Sequence, residues 1–269
     1  MHDHEALSRL GFMQRQGGVH ASRTIMLNEL AALFDSVPSE APASAYRAAI
    51  REQNCLGKRS GRTRDLTARH LAELYGLDPA NPIHVGLRFF WSRDKAAHPQ
   101  LALLAAAARD SLLRGLLPAI LEVTPGTLVS RDWVEQLIEV RWPERFSPAT
   151  RRSVAQNINS SLTKAGYMSG RVKKFRRQLE PATGAVAFAL YLGWIQGGRG
   201  ELLLQSEYLK LLDSGADRLL ELAAQASSRG WLVMRRVDNV MDVDFPALAP
   251  VAEAAIKPES DTATEGATP

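Results

Sequence analysis

Acidic residues are missing from the 33 residues 147–179, and that gap changes the sign of the chain. The segment holds eight cations, Arg151, Arg152, Lys164, Arg171, Lys173, Lys174, Arg176 and Arg177. The whole chain of 269 residues carries 33 Lys plus Arg against 29 Asp plus Glu, a net of +4; without the segment 25 stand against 29. The protein is a mildly acidic body with one strongly positive patch, and such a patch repels itself unless a polyanion neutralises it. Cysteine is scarce as well. Cys55, the single cysteine, closes no internal disulfide, which points to a reduced cytoplasmic setting, and with no His close by it reads as a small buried hydrophobe. His2, Asp3, His4 and Glu5 open the chain without an apolar stretch behind them, so no secretory signal is expected. Nor does any apolar run reach the roughly 20 residues that cross a bilayer. Residues 101–108 end at Arg109 and Asp110, and 181–198, interrupted by glycines, a proline and a glutamine, reads as a buried core helix.

Catalytic signatures are also lacking. The six histidines (His2, His4, His20, His70, His84, His98) form no HExxH and pair with no cysteine cluster, which disfavours zinc. A nucleophile elbow, a dinucleotide fingerprint and kinase signatures do not occur. Gly57 and Lys58 suggest a phosphate loop, but Glu52 stands where the first glycine is needed and Arg59 where Ser or Thr is needed. Asp132, Glu135 and Glu139, spaced along one helix with no adjacent His, read as a solvated face. The expectation is a non-enzymatic protein with no cofactor and no metal.

What the basic segment does contain is ordered. Ser147 as N-cap and Pro148 at the first helical position start a helix. Val154, Ile158, Leu162 and Ala165 make its apolar stripe. The opposite face carries Arg152, Gln156, Ser160, Thr163 and Lys164, with Ser153, Asn157 and Asn159 on its flanks, groups suited to base edges and phosphates. Gly166 closes the helix, Ser169 and Gly170 turn the chain, and a basic arm follows with Arg171, Lys173, Lys174, Arg176 and Arg177. Upstream, Ser130 caps a helix from Arg131 to about Val140, with Trp133, Leu137 and Val140 read as its inner face. Helix, linker, polar-faced helix and basic wing together suggest a helix-turn-helix or winged-helix-like module whose second helix enters a groove of duplex DNA.

The fold class expected is mainly α: a helical N-terminal bundle, then the winged-helix-like part, with one or two short β-hairpins. The divisions are 1–21 as a flexible start, 22–125 as a helical domain, 126–246 as the winged-helix-like and C-terminal region, and 247–269 as a disordered tail rich in Pro, Ala, Glu, Ser and Thr. Residues 231–236 and 240–245 read as a hairpin turning at Asp238 and Asn239. Pro118 is read as a second break in the helical stretch 101–121, after one near Asp110. A second basic cluster, Lys58, Arg59, Arg62 and Arg64, precedes a helix N-terminus, where charge and dipole both favour phosphate.

The runs TIMLNELAAL, YRAAIREQNCLGKRSGRTRDLTARHLAELYGL and SSLTKAGYMSGRVKK resemble the BrxA-type small helical accessory proteins of BREX phage-defence systems, a likeness covering roughly residues 22–248 and densest at Asn54, Lys58, Ser60, Thr63 and Arg64. The resemblance implies a mostly helical, non-enzymatic DNA-binding protein that works beside other defence proteins. Two alternatives stand beside duplex DNA: a scaffold whose patch docks an acidic protein, and RNA binding with Tyr167 and Phe175 stacking on unpaired bases.

Overall fold

The computed structural model describes residues 4–13, 17–237 and 240–257. The chain is mainly helical, with two small two-stranded antiparallel sheets. Its first part runs α1 (His4–Arg9), a 3-10 turn (Val19–Ala21), α2 (Leu27–Ser36), α3 (Ala43–Arg51), α4 (Gly61–Tyr75), α5 (Pro82–Trp91), α6 (His98–Arg109) and α7 (Ser111–Leu121). The caps follow from the sequence. Ser60 and Asn81 accept the free N–H groups that open α4 and α5, and Gly76 takes the left-handed conformation that ends α4. Asp110 both separates α6 from α7 and caps α7, accepting from the Leu112 and Leu113 N–H groups. Pro118 does not break α7. It lies within the helix, close to its end and on the exposed side.

Next come α8 (Arg131–Arg141), α9 (Pro148–Lys164), β1 (Met168–Ser169) and β2 (Phe175–Arg176). Val134 and Ile138 are the fully buried residues of α8, with Trp133 and Leu137 packed half-buried against the core as expected; Val140, also expected inside, is 78% exposed. The last part holds α10 (Thr183–Ile195), buried all round as expected, then α11 (Glu207–Lys210), α12 (Ala216–Ser228), β3 (Val233–Val237), β4 (Val240–Asp244) and α13 (Ala249–Ile256). The β3–β4 pairing places Arg235 opposite Asp242; its anticipated turn residues, Asp238 and Asn239, lie outside the described residues. The tail expected to be disordered from 247 begins instead with α13, whose Ala252 is buried, and 258–269 lie outside the described residues. Among the described residues no helix is long and apolar enough to cross a membrane.

The start of the chain, 1–21, expected to be flexible, contributes to the core through its described residues. Leu10, Phe12, Val19 and His20 are all buried, Phe12 against the Tyr208 ring and His20 against α9. His20 Nδ1 lies 2.8 Å from Asp110 Oδ2 and its Nε2 lies 2.9 Å from Ser161 Oγ on α9. The His20 backbone N–H also donates to Asp110, and Ser161 Oγ accepts from the Ile25 N–H while donating to the Asn157 carbonyl. Gly18 passes so close to Asp110 that a Cβ there would meet Oδ1 at 2.0 Å. These three side chains have the connectivity of a hydrolytic triad, yet all are at most 1% exposed. Their hydrogen bonds tie the N-terminal segment to the start of α7 and to α9.

Burial by itself would raise the Asp110 carboxyl, but the His20 charge, hydrogen bonds from the His20 ring and backbone, and the Leu113 N–H hold it below its ordinary value. A depressed folded-state value adds stability above the ordinary carboxylate range and loses it as pH falls through the folded value. Asp110→Asn is therefore expected to cost roughly 1–3 kcal/mol near neutral pH, a difference from wild type that shrinks below about pH 4. Denaturant unfolding at pH 7 and pH 3 checks this; equal losses at both would refute it.

Candidate nucleic-acid interface

α9 begins as its sequence dictates. Ser147 Oγ accepts from the Thr150 N–H at 3.2 Å, and Pro148 fills the first turn, where a missing donor costs nothing. Val154, Ala155, Ile158 and Leu162 are fully buried, which leaves Arg152, Gln156 and Lys164 exposed and Ser160 and Thr163 half-exposed on the far side. Gly166, at φ 91°, releases the chain into β1. Met168 pairs with Arg176 and Ser169 with Phe175. Gly170 turns the loop at φ 97°, where a Cβ would lie 2.0 Å from the Lys173 carbonyl, so only glycine fits. Residues before α8 extend this sheet. Leu128 bridges Phe175, the Val129 N–H donates to the Lys174 carbonyl, and the Arg176 N–H donates to the Thr127 carbonyl. The resulting wing is pinned on both sides, with Lys174 Nζ donating to the Gly170 carbonyl at 2.7 Å.

Arg171, Val172 and Lys173 form the exposed tip, Val172 being 90% exposed. Arg177, past β2, is also exposed. Between this loop, the start of α8 and the flank of α9 runs a groove lined by Ser130, Arg131, Gln156, Asn159, Ser160 and the wing cations Arg171, Lys173 and Lys174. Of the anticipated helix face, Gln156 and Ser160 thus share this groove with the wing, whereas Arg152, Thr163 and Lys164 do not line it.

Arg176 is the exception. Read as a phosphate-holding arm residue, it is 1% exposed. Strand alternation turns Phe175 outward and Arg176 inward. Its guanidinium pairs with Asp213 and donates to the Tyr167, Arg177 and Leu121 carbonyls. Two other expectations shift. Asn159, placed on the polar flank, is only 5% exposed and forms the side of the groove, and Arg151, counted with the patch, is paired with Glu139 of α8. Arg152 stays 64% exposed, with Glu135 at 3.9 Å.

The second cluster divides. Arg59 and Arg62 are exposed, Arg64 is half-buried, and Lys58 is held 3.0 Å from Glu29. That pair ties the two clusters together. Lys164 Nζ donates to Thr24 Oγ1 at 3.1 Å and acts, with Lys58, on Glu29. Burial would raise the Glu29 carboxyl, but the Lys58 hydrogen bond and both lysine charges leave it below its ordinary value. Nothing in the spacing of Lys58 and Lys164, 106 positions apart, announces this adjacency. Neither the family models nor the curated proteins compared with this chain match it.

Proposed function

We propose that the chain is a non-enzymatic, cytoplasmic protein that binds duplex DNA through α9 and its wing. The observation that carries the reading is one groove lined by Gln156, Asn159 and Ser160 of α9 and by Arg171, Lys173 and Lys174 of the wing, while Arg152 and Lys164 are exposed elsewhere on α9 and Arg177 is exposed after β2. The order of elements supports it: α7, an extended segment at 126–129, α8, α9, β1, loop, β2 is the order of a winged helix. In helix-turn-helix proteins the second helix lies in the major groove while the first crosses the backbone, the parts assigned here to α9 and α8. Side-chain amides and hydroxyls on α9 suit base edges, and the wing cations suit phosphates. With the resemblance to BrxA-type accessory proteins, the reading places the chain beside other proteins of a BREX-type phage-defence system.

Arg152, Lys164, Arg171, Lys173, Lys174 and Arg177 meeting about six phosphates should give a log–log salt slope of roughly −5 on duplex DNA. Filter binding at graded salt, with single-stranded DNA and structured RNA as competitors, measures this. Preferential displacement by RNA would move the assignment to RNA, and failure to retain any nucleic acid would leave a protein-docking scaffold.

A further inference from the structure

Asn159 is a buried polar side chain without a partner. It is 5% exposed, its Oδ1 is shut off from solvent with no donor, and among the described residues its carboxamide makes no hydrogen bond. Such an atom costs roughly 1–3 kcal/mol of stability, and a leucine of similar volume would avoid that cost. Its surroundings are cationic. The groove that Asn159 lines carries Arg171, Lys173 and Lys174 on the wing side, Gln156 and Ser160 beside it on α9, and Ser130 and Arg131 at the start of the 11-residue α8. The first residues of that helix, at the positive end of its dipole, and three wing cations line one space of about 460 Å³. With Oδ1 closed off from solvent, the N–H₂ is the part of the carboxamide left to meet a ligand in the groove, and it is a donor.

We infer that this groove is a phosphate subsite, in which Arg171, Lys173 and Lys174 neutralise the anion and the Asn159 carboxamide donates to one of its oxygens. The inference rests on the DNA reading above and sharpens it, because it names the place where one backbone phosphate is gripped between wing and helix. The same tetrahedral group is carried by a free nucleotide, and the two sources are separable.

The test follows the Asn159 side-chain NH₂ resonances of the full chain by NMR during titration with a 20-base-pair duplex, a deoxynucleoside 5′-monophosphate and inorganic phosphate. Movement of those resonances with the duplex supports a DNA-backbone site, and movement with the monophosphate or inorganic phosphate alone supports a free-phosphate site. Resonances that stay still in all three titrations overturn the proposal. Asn159→Leu supplies an independent readout: an unfolding midpoint at or above wild type together with about a tenfold loss of affinity for whichever probe binds, the size expected of one hydrogen bond to a charged group. Wild-type affinity in Asn159→Leu overturns the subsite. If the duplex still binds in that case, the DNA reading survives. If no duplex binds but monophosphate moves Asn159, the DNA reading fails and the subsite stands.

Discussion

Arg171, Lys173, Lys174 and Arg177 replaced together by alanine are expected to leave a folded protein whose duplex affinity is lower by about 10²- to 10³-fold near 0.1 M salt. Arg171, Lys173 and Arg177 are exposed and pair with no acid among the described residues, so their removal strands no buried charge. Lys174 contributes one hydrogen bond to the Gly170 carbonyl, a small structural loss. Contacts to phosphate carry no sequence information, so the preference among duplexes should stay while the salt slope flattens by about 3 to 4. Competition binding on two unrelated duplexes at three salt concentrations measures both quantities. An unchanged affinity in a variant with native circular dichroism would sink the wing as a binding element. Arg176 is kept out of this set because its loss would unfold the wing and mimic a binding defect.

Asp213→Ala tests that distinction directly and is expected to cost roughly 3–5 kcal/mol of folding stability. The Arg176 side chain is fully buried and Asp213, itself 19% exposed, is its counter-ion, so removing the carboxylate leaves a guanidinium with only carbonyls for company. A second cost arises at residue 213 itself, at φ 51°, where aspartate is tolerated better than alanine. Arg176→Met combined with Asp213→Ala should recover much of the loss, since an apolar side chain of similar length removes the uncompensated charge. Equilibrium denaturation of the two variants decides it. A loss under about 1 kcal/mol in Asp213→Ala would show that water reaches the guanidinium and that the pair does not hold the wing.

Much of the helical content was legible because local rules act over a few residues. Ser147 with Pro148, Ser130, and Gly76 set helix ends through their own backbone and side-chain groups, and the helices stop where those residues stand. The α10 helix was legible from its lack of any charge. Pro118 was misread because its place near the C-terminal end of α7, on the exposed side, depends on how that helix packs. On α8 only Val140 was misread, for a related reason. Val140 is as apolar as Trp133 and Leu137, which pack against the core, and only the neighbours decide how far round the helix the cover extends.

The sequence by itself determined that this protein is mainly helical, that a helix at 148–164 has one apolar and one polar face, and that its positive charge is concentrated in an acid-free segment. Only the tertiary structure decided which of those charges are free. Arg176 points inward because two-residue alternation in β2 and the approach of Asp213 select that side, while Arg171 and Lys173 stand out on a loop with nothing above them. The same holds for His20, drawn into the core by Asp110 and Ser161, and for Lys58 and Lys164, brought to one glutamate. Ion pairs and buried hydrogen bonds form between residues distant in the chain, so their partners are set by packing and not by spacing.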